Sequence, residues 1–186
     1  ESVRVIRARC TLAVVQVSAA AQEPQQQLTH AQMRELMHAV EDTRRSCAIL
    51  AQTNPCAFNS FVLRDDENPE QPFVNAPMHE KWHGMMSTHP RLCLWAHAEA
   101  GKSIAISVGR VLWELGRDPN LRIVIVSETD EKAEEIVSAI RRYIDESAEL
   151  HLVFPKLRPA KSRRGSRAGR EEKWTDHRLT VERTSF

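Results

Sequence analysis

Ala100-Gly101-Lys102-Ser103 follows closely on the apolar run Arg91-Leu92-Cys93-Leu94-Trp95-Ala96 and opens a stretch of helical periodicity, Ser103 to Gly116. A strand that stops where a helix starts leaves backbone N–H groups unpaired and aimed at one spot, where the helix dipole also favours negative charge. Gly101 lets the backbone approach a triphosphate, Lys102 can reach the β/γ oxygens as the catalytic cation, and the Ser103 hydroxyl can ligate a bridging Mg²⁺. His97, Ala98, Glu99 and Ala100 complete the loop around the phosphates. The pattern departs from GxxxxGK[ST] because Ala96 holds the first glycine position. The plain alternative is a helix start with an incidental lysine.

A second constellation competes with it. His79-Glu80-Lys81-Trp82-His83 matches HExxH, in which two histidines one helical turn apart bind zinc and the glutamate serves as general base. His89 falls where a longer form of that motif places its third ligand. Met86 replaces the glycine of that longer form, and Pro90 follows His89 at once, so the alternative is a surface helix whose Trp82 and Met86 face the core.

The elements that must position these residues are legible by period and punctuation. Leu121-Arg122-Ile123-Val124-Ile125-Val126 is β-branched and almost continuously apolar, as a parallel strand buried on both faces would be. With the run at Arg91 it makes a strand–loop–helix–strand unit. Thr29 caps a long helix with apolar positions Met33, Leu36, Met37, Val40, Cys47, Leu50 and Ala51, and Asn54-Pro55 ends it. A second helix covers Pro77 to Met86, with proline in its first turn. The phosphate-loop helix buries Ile104, Ile106, Val108, Val111, Leu112 and Leu115, with Gly116 as its C-terminal glycine. Thr129 caps a further helix whose apolar face is Ala133, Ile136, Val137, Ile140, Tyr143 and Ile144. Leu179-Thr180-Val181 reads as another strand.

Length and composition set the bounds. A chain of 186 residues builds one ordinary core, and its 26 Lys plus Arg nearly balance 25 Asp plus Glu, so bulk charge gives no evidence for a nucleic-acid partner. The basic stretch Lys161 to Arg170, inside a loop spanning 159–173, is either a solvated insertion or a contact for DNA phosphates. Scattered cysteines without CxxC spacing suit a reduced cytoplasmic setting, and no run reaches the length of a membrane span. Residues 1–28 only loosely imitate a signal peptide, since Gln16 interrupts the apolar region, and they read as a flexible N-terminal segment ahead of the domain at 29–186.

From about Cys47 onward the chain resembles the N-terminal ATPase domain of phage large terminases, the motors that package DNA. The likeness is carried by Pro77 to His83, Ala96 to Ser103, Leu112-Trp113-Glu114-Leu115-Gly116-Arg117-Asp118-Pro119-Asn120-Leu121-Arg122-Ile123, Ser127-Glu128-Thr129, Val153-Phe154-Pro155, Trp174-Thr175 and Leu179 to Arg183. It implies an ATP-hydrolysing motor with a deviant phosphate loop, Mg²⁺ and ATP as cofactors, and His79 close to the adenine. Double-stranded DNA, a small terminase subunit, a portal protein and a homo-oligomeric ring are the partners it implies, with no membrane. Where many terminases carry an arginine in the loop, this chain has Ala98. The acidic Mg²⁺-binding motif and a nuclease domain are expected beyond Phe186, which makes this a partial ATPase domain. The expected fold is therefore α/β: a P-loop NTPase core of parallel sheet with flanking helices, an N-terminal helical arm, and an incomplete C-terminus.

Overall fold

The computed structural model describes residues 29–65, 68–160 and 179–183. Among them the architecture is helical. The helix α1 spans His30–Thr53, α2 Pro55–Val62 and α3 Pro77–Thr88. A π-helix, Ser103–Arg110, runs directly into α4, Val111–Arg117. Then come α5, Asp130–Glu146, and α6, Ala148–Val153.

The helix starts follow local chemistry. Thr29 accepts from the Gln32 amide while the Gln32 side chain accepts from the Thr29 amide, a reciprocal cap that satisfies otherwise orphaned donors. Asn54 ends α1 and caps α2 by accepting from the Cys56 and Ala57 amides, and Pro55 fits the first turn because it has no N–H to lose. Thr129 caps α5 as its sequence predicts.

The parallel sheet does not form. The described residues contain only two isolated bridges, Arg64 with Pro72 and Pro159 with Val181, and no named strand. Residues 91–96 and 121–126 take no regular structure, so both strand expectations fail, and with them the P-loop NTPase core. The physical reason is pairing. A β-branched run becomes a strand only when another strand completes its ladder, and nothing among the described residues bonds the backbone between Arg122 and Val126. Trp95 is 90% exposed and Val126 87%, where a central strand would bury both. Leu179 to Val181 contributes one bridge in place of a strand.

The core lies instead between helices. Phe58, Val62, Leu63, Leu112, Trp113, Ile144, Leu150, Val153, Phe154 and Leu157 are buried in one cluster. Phe58 of α2 packs its ring on Phe154 at 5.8 Å. Trp113 donates from Nε1 to the Ala51 carbonyl at 3.0 Å, and the guanidinium groups of Arg110 and Arg117 lie over its ring, at 4.7 and 4.5 Å from the centroid. These contacts pin α4 to the C-terminal end of α1. Glu149 ties the other end of the cluster together by pairing with both Arg44 and Arg64, at 3.3 and 3.0 Å.

Gly116 is a correction of role. The helix continues to Arg117 and Asp118 caps it in an extended conformation, so Gly116 is not a left-handed terminator. Its missing side chain makes room for the Phe154 ring, which a Cβ at this position would overlap. Ile104, Ile106 and Val111 are half-buried, whereas Val108, Leu112 and Leu115 are buried as their spacing predicts.

Candidate functional site

The loop from His97 to Ser103 turns sharply into the helix that follows, although no strand delivers the chain to it. Glu99 and Gly101 both have positive φ, 63° and 69°, on either side of the buried Ala100. Left-handed residues alternating with others turn successive amides toward one concave face. Gly101 needs its lack of a side chain twice, since a Cβ would stand in a left-handed backbone and 3.3 Å from the Phe73 ring.

The helix that follows begins with unspent donors. The Ala105 amide is the first to bond back, to the Gly101 carbonyl at 2.9 Å. The amides from Gly101 to Ile104 donate to no group among the described residues. Lys102 and Ser103 are exposed, and neither side chain takes part in a hydrogen bond or ion pair among the described residues. His97, Ala98 and Glu99 are exposed as well, so the Glu99 carboxylate stays in water. The loop residues named from sequence, His97 through Ser103, are thus contiguous at one helix start.

His79 reaches this loop from α3. It is buried, its Nδ1 accepts from the Ala76 amide at 3.0 Å, and its Nε2 meets the Ala100 carbonyl at 2.9 Å. Phe73 and Trp82 flank the imidazole at 5.3 and 5.0 Å between ring centres. Phe73 is the contact that sequence reading missed, because it lies between the elements that period and punctuation mark and nothing local signals its approach to Gly101. Asn59 is the other. Its Nδ2 bonds both His83 Nε2 and the Ala105 carbonyl, at 3.1 Å each, linking α2, α3 and the π-helix beneath the loop.

That network also settles how the HExxH residues are used. His79 has both ring nitrogens engaged by backbone groups, and His83 turns Nε2 to Asn59. Burial, reinforced by the positive Arg110 and by His79, pushes the His83 pKa down to about 4, so it is neutral at physiological pH. Glu80 is exposed, and His89 lies outside the core bonded to Thr88 and the Met85 carbonyl. The described residues hold no cluster of three or more His, Cys, Asp or Glu able to grip a metal, so His79, Glu80, His83 and His89 do not converge. His79 and His83 are packed in the interior from α3, whereas Glu80 and His89 face solvent.

The exposed Ser103 hydroxyl fits Mg²⁺, which characteristically uses few protein oxygens and completes its shell with phosphate and water.

No described helix is long and apolar enough to cross a membrane. The segments 1–28 and 161–178, which hold the signal-like N-terminus, most of the basic loop and Trp174-Thr175, lie outside the described residues. Comparison with protein families, with curated proteins and with solved structures finds no match to this chain.

Proposed function

We propose that the loop from His97 to Ser103 binds the phosphates of Mg-ATP, and that the chain is the ATP-binding portion of a DNA-packaging terminase large subunit. The observation that carries the first part is the set of unspent amides from Gly101 to Ile104 at a helix start, beside an exposed ammonium and an exposed hydroxyl. Unpaired amides and the positive end of the helix dipole favour a polyanion without any further group. Lys102 is the cation for the β/γ oxygens, and Ser103 is the protein ligand for Mg²⁺. The sequence likeness from Pro77 to Arg183 supports the second part. On this reading double-stranded DNA, a small subunit, a portal protein and a homo-oligomeric ring belong to the whole motor, together with the phosphoryl transfer to water that drives it.

The α/β core plays no part in this reading, because the donors belong to the loop and to the helix after it. Thermal unfolding tests the binding step. A ligand at about 100 times its Kd adds about 2.7 kcal/mol to the stability of the state it binds. Mg-ATP is expected to raise the melting temperature of the chain, and nucleotide-free buffer with Mg²⁺ alone is expected to leave it unchanged. An unshifted melting curve in excess Mg-ATP overturns the proposal.

A further inference from the structure

The two ring nitrogens of His79 have distinct jobs. Because the Ala76 amide donates to Nδ1, that nitrogen is the acceptor, and the neutral ring carries its proton on Nε2 and donates it to the Ala100 carbonyl. In an α-helix that carbonyl would accept the Ile104 amide, four residues on. Here the left-handed Gly101 breaks the helical path, the first bond back runs from the Ala105 amide to the Gly101 carbonyl, and the Ala100 carbonyl is met by His79. The imidazole is held in place between Phe73 and Trp82 and is 4% exposed.

We infer that His79 is a positioning residue for the phosphate loop: by holding the Ala100 carbonyl, it fixes the turn from which the amides of Gly101 to Ile104 face phosphate oxygens. This rests on the phosphate-binding reading of the loop and gives His79 a different task from a place beside the adenine. The tether also fixes the loop between its two left-handed residues, Glu99 and Gly101. Ala100, between them, is buried, so its carbonyl has no water to turn to if the imidazole is lost.

Two near-isosteric variants separate this role from a plain structural one. His79→Gln puts an amide nitrogen near the Nε2 position and keeps the donor to the loop while giving up the Ala76 contact. His79→Asn puts an acceptor near Nδ1 and keeps the Ala76 contact but stops short of the loop. Calorimetric titration with tripolyphosphate is the readout, alongside the thermal midpoint of each variant. His79→Asn is expected to weaken binding about tenfold, the order of one lost hydrogen bond, and His79→Gln to stay within about threefold of the parent.

Asn binding as tightly as the parent, or Gln losing as much as Asn, overturns the positioning role. If Asn melts below the assay temperature, Gln alone decides: retention within about threefold supports the role and a tenfold loss overturns it. A parent that takes up no tripolyphosphate overturns the loop reading and this role with it. A parent that binds, with Asn equal to it, removes the role of His79 and leaves the loop reading standing.

Discussion

Phe58→Ala is expected to lower the unfolding free energy by about 3–5 kcal/mol, the usual range for deleting a fully buried aromatic ring. Phe58 has no exposed surface and meets the Phe154 ring at the centre of the helical cluster. Its helix, α2, packs on α1, α3, α6 and the π-helix, so the cavity would open where four elements meet and none can collapse alone. Urea unfolding with an unchanged slope measures the loss. A contrast is available on α1, where Met37 is 66% exposed and its replacement by alanine is expected to change stability by under about 0.5 kcal/mol. If Phe58→Ala costs as little as Met37→Ala, the helical core is misplaced.

Lys102→Ala carries the largest expected effect on binding. The ammonium is exposed and pairs with no group among the described residues, so its removal takes nothing from the fold. Against a triphosphate it would make charge-assisted hydrogen bonds, each about 1.5–3 kcal/mol, and the Kd for Mg-ATP is expected to rise roughly 100-fold. Stability without nucleotide should stay within about 0.5 kcal/mol of the parent. Calorimetric titration and a melting curve give both numbers. A variant that binds Mg-ATP like its parent removes Lys102 from the site; one that is unfolded without nucleotide contradicts its exposed, unpaired position.

The longer helices α1, α3 and α5 are readable because their ends are written in single residues, whereas α2 reads only as a short apolar piece after Asn54-Pro55. Thr29, Asn54-Pro55, Pro77 and Thr129 each mark a boundary through a local hydrogen bond or a missing one, and the fold places helix ends at all of them. Strands carry no such self-sufficient mark. The apolar run at Leu121 satisfies every local preference for a strand and still stays unpaired, since its ladder depends on a neighbour that periodicity does not supply. For the same reason Trp95 was expected to end a sheet element and lies open to solvent.

The short helix α6 escaped notice although Ser147 caps it through the Leu150 amide, because six residues show too little periodicity to register. The π-helix, too, carries a non-local contact: Asn59, distant in sequence, donates to the Ala105 carbonyl within it. At the site, the loop residues were legible as a contiguous string. The hand of His79 on Ala100 and the ring of Phe73 against Gly101 were not, because each depends on two segments folding onto one another.

The phosphate-binding groups proposed for this loop are backbone amides, and amide chemical shifts read them directly. In a titration of ¹⁵N-labelled protein with tripolyphosphate, the resonances of Gly101, Lys102, Ser103 and Ile104 are expected to move together and saturate at one equivalent, while those of α1 and α5 stay still. Shifts confined to exposed basic residues elsewhere, with these amides unmoved at saturation, would contradict the proposal.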